Sequence, residues 1–369
     1  MPNRYEEALD RIAGKFRKTA EAAAEAGIIP YKSDAGKWIA SPYAGNSWWT
    51  GGFWPGLMWQ LYRASGDGLF MREACRAEDL LTAEFRNFRE LNHDVGFMYL
   101  LSCGADARLT GDEQAETDML HAASLLMGRF NPKGFFRAWD GADRAGYAII
   151  DCMMNLSLLF RAGRETGDPR FAHAARIHAD TAVREFLRPD GSVSHIVEFD
   201  PETGKRVREH AGQGYALGGQ WSRGQAWGLY GFTLAWMNAK DPRYLETARR
   251  IADNFIAHIR PDGLTDSDFC QPAGEERIDN LAGAIAACGL WELSRETGEA
   301  AYREAALRLT DGLLDSCCDW GEARCGVLTR CTASYHDDGA GRHTNITYGD
   351  YFLAEMLGKI CGTDPMLWI

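Results

Sequence analysis

The chain has 369 residues, 46% hydrophobic and 25% charged, with a formal net charge of -12. That is the balance of a globular chain with a large buried core, in one large domain or two ordinary ones. The negative charge excludes a nucleic-acid partner, which needs clustered Lys and Arg, but leaves room for a small acidic ligand held by a few local cations. The first residues, "MPNRYEEALDRIAGKFRK", lack the apolar stretch of a signal peptide, and no window is long enough to cross a membrane. A cytoplasmic address with no membrane partner is expected. The ten cysteines form no C-x-x-C pair and read as buried thiols.

In chain order, one pattern repeats: Gly or Lys, then Asp or Glu, then an aromatic and an amphipathic helix. It occurs in weak copies from Gly66 and Gly111 and is plain in "GDPRFAHAARIHADTAVREF" from Gly167, while the N-terminal "RYEEALDRIAGKFRKTAEAA" fits as a sixth helix of the same amphipathic type. It returns as "KDPRYLETARRIADNFIAHI" from Lys240 and "GEAAYREAALRLTDGLLDSC" from Gly298. Each such helix has one apolar face and should lie on the outside of something larger. Between the copies lie more apolar helices: "GGFWPGLMWQLYRASG", "VGFMYLLSCGADARLTG", "CMMNLSLLFRAGRETG", "GQAWGLYGFTLAWMNAKD", "LAGAIAACGLWELSRETG" and "GDYFLAEMLGKICG". Six outer and six inner helices in alternation predict an all-α (α/α)6 barrel. With no Pro- or Ser-rich linker, residues 1–369 are expected to form one domain, with small strands in loops such as "GSVSHIVEFDPETG".

In such a barrel the N-termini of the inner helices gather at one mouth. Asp94, Asp151, Arg223, Asp279 and Asp350 are placed there, with Trp48 and Trp49 in the matching position on the first inner helix. A single aspartate there would read as a helix cap. Several on one cavity suggest a site, because desolvation and like charge hold one carboxyl protonated beside an ionised partner. Asp94 and Asp151, on successive inner helices, are the natural acid–base pair. Arg223, in "WSRGQAW", could clamp a carboxylate through two hydrogen bonds or simply pair with one of the aspartates. Its segment also supplies Gln213 and Trp227, whereas His195 alone reads as a loop histidine. "GQGYALGG" lacks the lysine of a phosphate loop, and His93–Asp94 has no third ligand at metal spacing, so metal-free chemistry without a cofactor is expected.

"HDVGFMY", "DCMMNLSLLF", "HAGQGY" and "WSRGQAW", in that order from about Trp48 to Tyr351, resemble the unsaturated glucuronyl hydrolases of glycoside hydrolase family 88. The resemblance implies a distinctive reaction on small acidic disaccharides or oligosaccharides left by polysaccharide lyases. An acid protonates C-4 of the terminal Δ4,5-unsaturated uronic acid, water adds at C-5, and the hemiketal opens to release the neighbouring sugar. By the same resemblance Asp151 is the general acid and base, and Asp94 holds the ring hydroxyls. His195, Gln213 and Arg223 surround the substrate, with Arg223 on its carboxylate, while Trp227, Trp48 and Trp139 offer stacking faces. The related family 105, which acts on unsaturated rhamnogalacturonan fragments, carries an R-G-N-G-W type segment where this chain has "SRGQAW". A sugar epimerase on a similar barrel is the more distant alternative, but it would use a histidine pair where this chain has aspartates. The loop from Ser334 to Asn345, with Arg342 and His343, is compatible with sulfated sugars. The sequence is silent on oligomeric state.

Overall fold

All the outer helices but the one that starts after Glu299, which has no side-chain cap, begin where the sequence supplies a cap. In the computed structural model, which describes residues 3–41 and 45–369, α1 (Arg4–Ala26) opens on Asn3 in a reciprocal capping box with Glu6. There follow α2 (Phe53–Ser65), α3 (Gly68–Thr82), α4 (Val95–Tyr99), α5 (Cys103–Thr110) and α6 (Glu113–Met127). Next come α7 (Cys152–Thr166), α8 (Pro169–Glu185), α9 (Ser222–Ala239) and α10 (Pro242–Ala257). The last are α11 (Asn280–Thr297), α12 (Ala300–Ser316) and α13 (Thr347–Cys361).

Asp67, Asp112, Asp168 and Asp241 cap α3, α6, α8 and α10 with their side chains. The residue before each of them, Gly66, Gly111, Gly167 or Lys240, has left-handed backbone and ends the preceding helix. An inner helix therefore turns into the next outer helix within two residues, as the repeated Gly/Lys–Asp signature predicts.

The inner ring is α2, α4 with α5, α7, α9, α11 and α13, each packed on the next, with α13 closing back onto α2. α9 is buried without a break from Ser222 to Ala235 and α11 from Asn280 to Leu293, the mark of helices enclosed on all sides. The outer α10 instead buries one stripe, Tyr244, Thr247, Ala248, Ile251, Ala252 and Phe255. Along the barrel axis Phe53, Phe97, Trp227, Phe352 and Trp368 are buried against one another in an aromatic plug. This is the expected (α/α)6 barrel.

One inner helix differs from expectation. "VGFMYLLSCGADARLTG" is not continuous: Ser102 takes non-helical φ -102 and ψ -92, and its hydroxyl turns back to Met98 O at 2.7 Å. The helix is thus split into α4 and α5. The small strands do occur in the loops. β1 (Lys32–Asp34) pairs with β2 (Lys37–Ile39), and β3 (Phe130–Asn131) with β4 (Phe135–Phe136). β5 (Tyr147–Ile149), β6 (Ile196–Phe199) and β7 (Arg206–His210) form a three-stranded sheet.

That sheet positions the site. Ile149 pairs with Ile196, and the Ile150 amide donates to His195 O at 3.0 Å. Asp151 and His195, 44 positions apart in the chain, are thereby set side by side.

The cysteines are unbridged. Cys103, Cys152, Cys288, Cys317 and Cys331 are buried as expected, whereas Cys270 is exposed. Among the described residues no helix is long and apolar enough to cross a membrane.

Candidate active site

Asp94 and Asp151 stand at the N-cap positions of α4 and α7, yet neither side chain accepts a bond from its own helix. Both carboxylates are therefore available for something else. Asp151 Oδ1 is buried and has no hydrogen-bond partner among the described residues. Burial lifts the Asp151 carboxyl to about 7, against the opposing positive charge of Arg223. Asp94 is pushed well above the usual carboxylate range by burial and by the nearby Asp151, with hydrogen bonds from Asn155 and Asn92 pulling the other way. Two carboxyls with elevated affinity for protons, one of them with an unpartnered oxygen, are a candidate acid–base pair.

His195 lies beside them with Nε2 3.9 Å from Asp151 Oδ1. Its Nδ1 accepts from the Gln213 amide at 3.2 Å, and its Nε2 faces the carboxylate. Burial pushes the imidazole down to about 3, which keeps it neutral. A Cβ on Gly212 would fall 2.0 Å from His195 Nδ1, and φ there is 59, so only glycine lets this loop close over the ring. Trp221 packs on the other side, its ring centroid 4.1 Å from that of His195. His93, also buried and kept neutral, has Nε2 3.5 Å from Asp94 Oδ1.

Of the remaining residues expected at the site, Gln213 joins two loops. Its Nε2 donates to Ala333 O at 2.6 Å, and its carbonyl accepts from the Tyr335 amide at 2.9 Å. Trp48 and Trp139 are half-buried and keep part of their rings accessible. Trp139 sits against Tyr147 in a small cluster with Ala138, Ile149 and Ile196, next to β5.

Two of the residues expected at the site are buried among protein partners. Trp227 is fully buried against Phe97 and Phe352 in the axial plug, so its face is not open to a sugar ring. Its place one turn inside α9 directs it down the barrel. Arg223 is 1% exposed, and its guanidinium is bound to Asp279, to Thr332 O at 2.8 Å and to Ala333 O. The partner of Arg223 in this structure is therefore an aspartate of the protein. Asp279 completes the arrangement by accepting from the Leu281 and Thr332 amides, each at 3.2 Å.

Asp350, expected at the mouth, lies one turn inside α13. Its Oδ1 accepts from the Val327 and Leu328 amides at 3.0 and 2.6 Å, which makes it part of the scaffold. In the loop from Ser334 to Asn345, His343 Nε2 accepts from the Ile278 amide at 3.2 Å and Arg342 lies 3.8 Å from Asp338. Among the described residues no three His, Cys, Asp or Glu side chains converge closely enough to hold a metal ion.

Asn155 was not singled out from the sequence, and Asp279 was placed at the mouth without being identified as the particular aspartate that pairs with Arg223. Asn155 had a signal, because it is the one amide in the apolar run "CMMNLSLLF" and falls four residues after Asp151.

No protein-family model matches the chain. Among curated proteins, the unsaturated glucuronyl hydrolase of Bacillus sp. (strain GL1) is 36% identical over 349 residues, covering 90% of each chain. The chain belongs to the unsaturated glucuronyl hydrolases. The unsaturated chondroitin disaccharide hydrolase of Streptococcus pyogenes serotype M1 is 33% identical over 85% of this chain and 81% of its own length. In three dimensions the chain is similar to the crystal structure of the Bacillus sp. GL1 unsaturated glucuronyl hydrolase, responsible for the degradation of glycosaminoglycan. The TM-score is 0.94 at 32% identity, over 99% of this chain and 98% of that one. As a member of the family, this chain is a glycoside hydrolase.

Proposed function

We propose that this unsaturated glucuronyl hydrolase releases the terminal Δ4,5-unsaturated uronic acid from glycosaminoglycan-type disaccharides by hydrating the C-4=C-5 enol ether. The observation that carries the reading is the unpartnered, buried Oδ1 of Asp151, on a carboxyl held protonated to about pH 7. Protonated Asp151 delivers its proton to C-4, and positive charge develops at C-5, shared with the ring oxygen. The resulting carboxylate then takes a proton from the water that adds at C-5. The hemiketal so formed opens to a ketone, and the hemiacetal left at C-1 breaks down to free the second sugar. Protonating carbon is slow, and a carboxyl whose proton affinity lies near the working pH suits both halves of this exchange. The spacing rules for retaining and inverting glycosidases concern displacement at the anomeric carbon and do not apply.

Asp94 accepts hydrogen bonds from the ring hydroxyls. His195, neutral, turns Nε2 toward Asp151 and the incoming water. Trp48 and Trp139 provide ring faces at the rim. Arg223 and Gln213, both bonded to Ala333 O, fix the loop that borders the substrate. Residues 1–369 form one catalytic domain, and a cytoplasmic enzyme finishing imported oligosaccharides suits the composition.

The substrate class is tested by a panel. Turnover of unsaturated chondroitin or hyaluronan disaccharides, and not of unsaturated rhamnogalacturonan disaccharide, is the expected result. The opposite preference would reassign the chain to pectin-derived substrates.

A further inference from the structure

α4 is a five-residue helix, Val95–Tyr99, with an aspartate at its N-cap that does not cap it. A helix start leaves its first amides without partners inside the helix, and a buried one must find a partner elsewhere. The partner here comes from the neighbouring helix. Asn155, fully buried on α7, accepts from the Phe97 amide at its Oδ1, at 2.8 Å. Through Nδ2 the same carboxamide donates to Asp94 Oδ1 at 3.2 Å and to Asp151 O at 3.1 Å. The backbones approach closely for this to happen: a Cβ on Gly96 would lie 2.6 Å from Asn155 Oδ1 and 2.7 Å from Asn155 Cα.

We propose that Asn155 is the positioning residue of the active site. It caps α4 in place of Asp94, which releases the Asp94 carboxylate into the site, and it ties that carboxylate to the backbone carrying Asp151. The inference rests on the hydration reading for the roles of the two aspartates. Asn155 is one turn from Asp151 and hydrogen-bonded to Asp94, so the two carboxylates keep a fixed relationship through one side chain. Its donor also favours the ionised form of Asp94, which burial and Asp151 both disfavour.

The test measures kcat against pH for the wild type, Asn155→Ala and Asn155→Asp on an unsaturated glycosaminoglycan disaccharide, with thermal melts alongside. Loss of a hydrogen bond to a charged group should lower kcat of Asn155→Ala by about 10- to 100-fold. Its acidic limb should also move to higher pH, because Asp94 then needs a higher pH to ionise. Asn155→Asp keeps an acceptor for the Phe97 amide, and at low pH, with its carboxyl protonated, it preserves the shape and hydrogen-bonding groups that Asn155→Ala removes. Its activity should be confined to the acid side, where the new carboxyl is protonated and can donate. Unshifted limbs in Asn155→Ala, with activity reduced only as far as its folded fraction, would make Asn155 purely structural and overturn the proposal. A wild-type profile in Asn155→Asp would do the same. Failure of the wild type itself to turn over the disaccharide would instead refute the proposed substrate class.

Discussion

Arg223 and Asp279 form an ion pair in which both side chains are almost completely excluded from solvent, at 1% and 0% exposure. They come from α9 and the cap of α11, so the pair joins two neighbouring helices at the mouth. Its removal from one side leaves a buried charge alone, which costs about 3–5 kcal/mol. Arg223→Ala and Asp279→Ala should each show a destabilisation of that order in denaturant melts. The double replacement should cost less than the sum of the two. A purely additive result would mean that the pair has no coupling.

The protonation of Asp151 sets the alkaline side of the activity. As pH rises through about 7 the general acid is lost, so kcat should fall there by up to tenfold per pH unit. A kcat that stays flat to pH 9 would exclude Asp151 as the acid.

The same group affects stability. The folded-state pKa of Asp151 is raised above its unfolded value, so its ionisation destabilises the fold. The stability present at about pH 4 declines as pH rises toward about 7. Asp151→Asn removes that ionisation, and at pH 8 it should be more stable than the wild type by up to about 4 kcal/mol. The difference should shrink toward pH 4. Melts at the two pH values measure it, and equal offsets at both would contradict the linkage.

The tryptophans divide by environment. Trp227→Ala opens a cavity in the axial plug and should cost about 3–5 kcal/mol of stability. Trp48→Ala and Trp139→Ala, at half-buried rings, should mainly raise KM, with small changes in melting temperature. A large KM effect with normal stability in Trp227→Ala would restore Trp227 to the substrate-binding surface.

The barrel was legible because its signals are local and repeated. The Gly66–Asp67, Gly111–Asp112 and Gly167–Asp168 pairs each combine a left-handed stop with a cap, and the amphipathic stripes show which helices face outward. The break at Ser102 was not legible, since "YLLSCG" is an ordinary helical run and the turn depends on packing inside the ring. At the site, helix starts located Asp94 and Asp151. Position along an inner helix also identified Arg223 and Trp227, but periodicity cannot say how deep a side chain lies or which partner it finds. Trp227 therefore went to the plug and Arg223 to Asp279. Asn155 was missed because a lone amide in an apolar helix becomes informative only when the neighbouring helix start is known to need a donor and an acceptor.

The most direct test follows enol-ether absorbance and release of the second sugar together in a single turnover, with wild-type enzyme and Asp151→Asn. The account predicts that with the unsaturated disaccharide the absorbance disappears no later than the sugar is released. The saturated disaccharide should be inert, and Asp151→Asn should bind the unsaturated one without changing either signal. Sugar release that leaves the absorbance intact, or cleavage of the saturated disaccharide, would show displacement at the anomeric carbon and contradict hydration by Asp151.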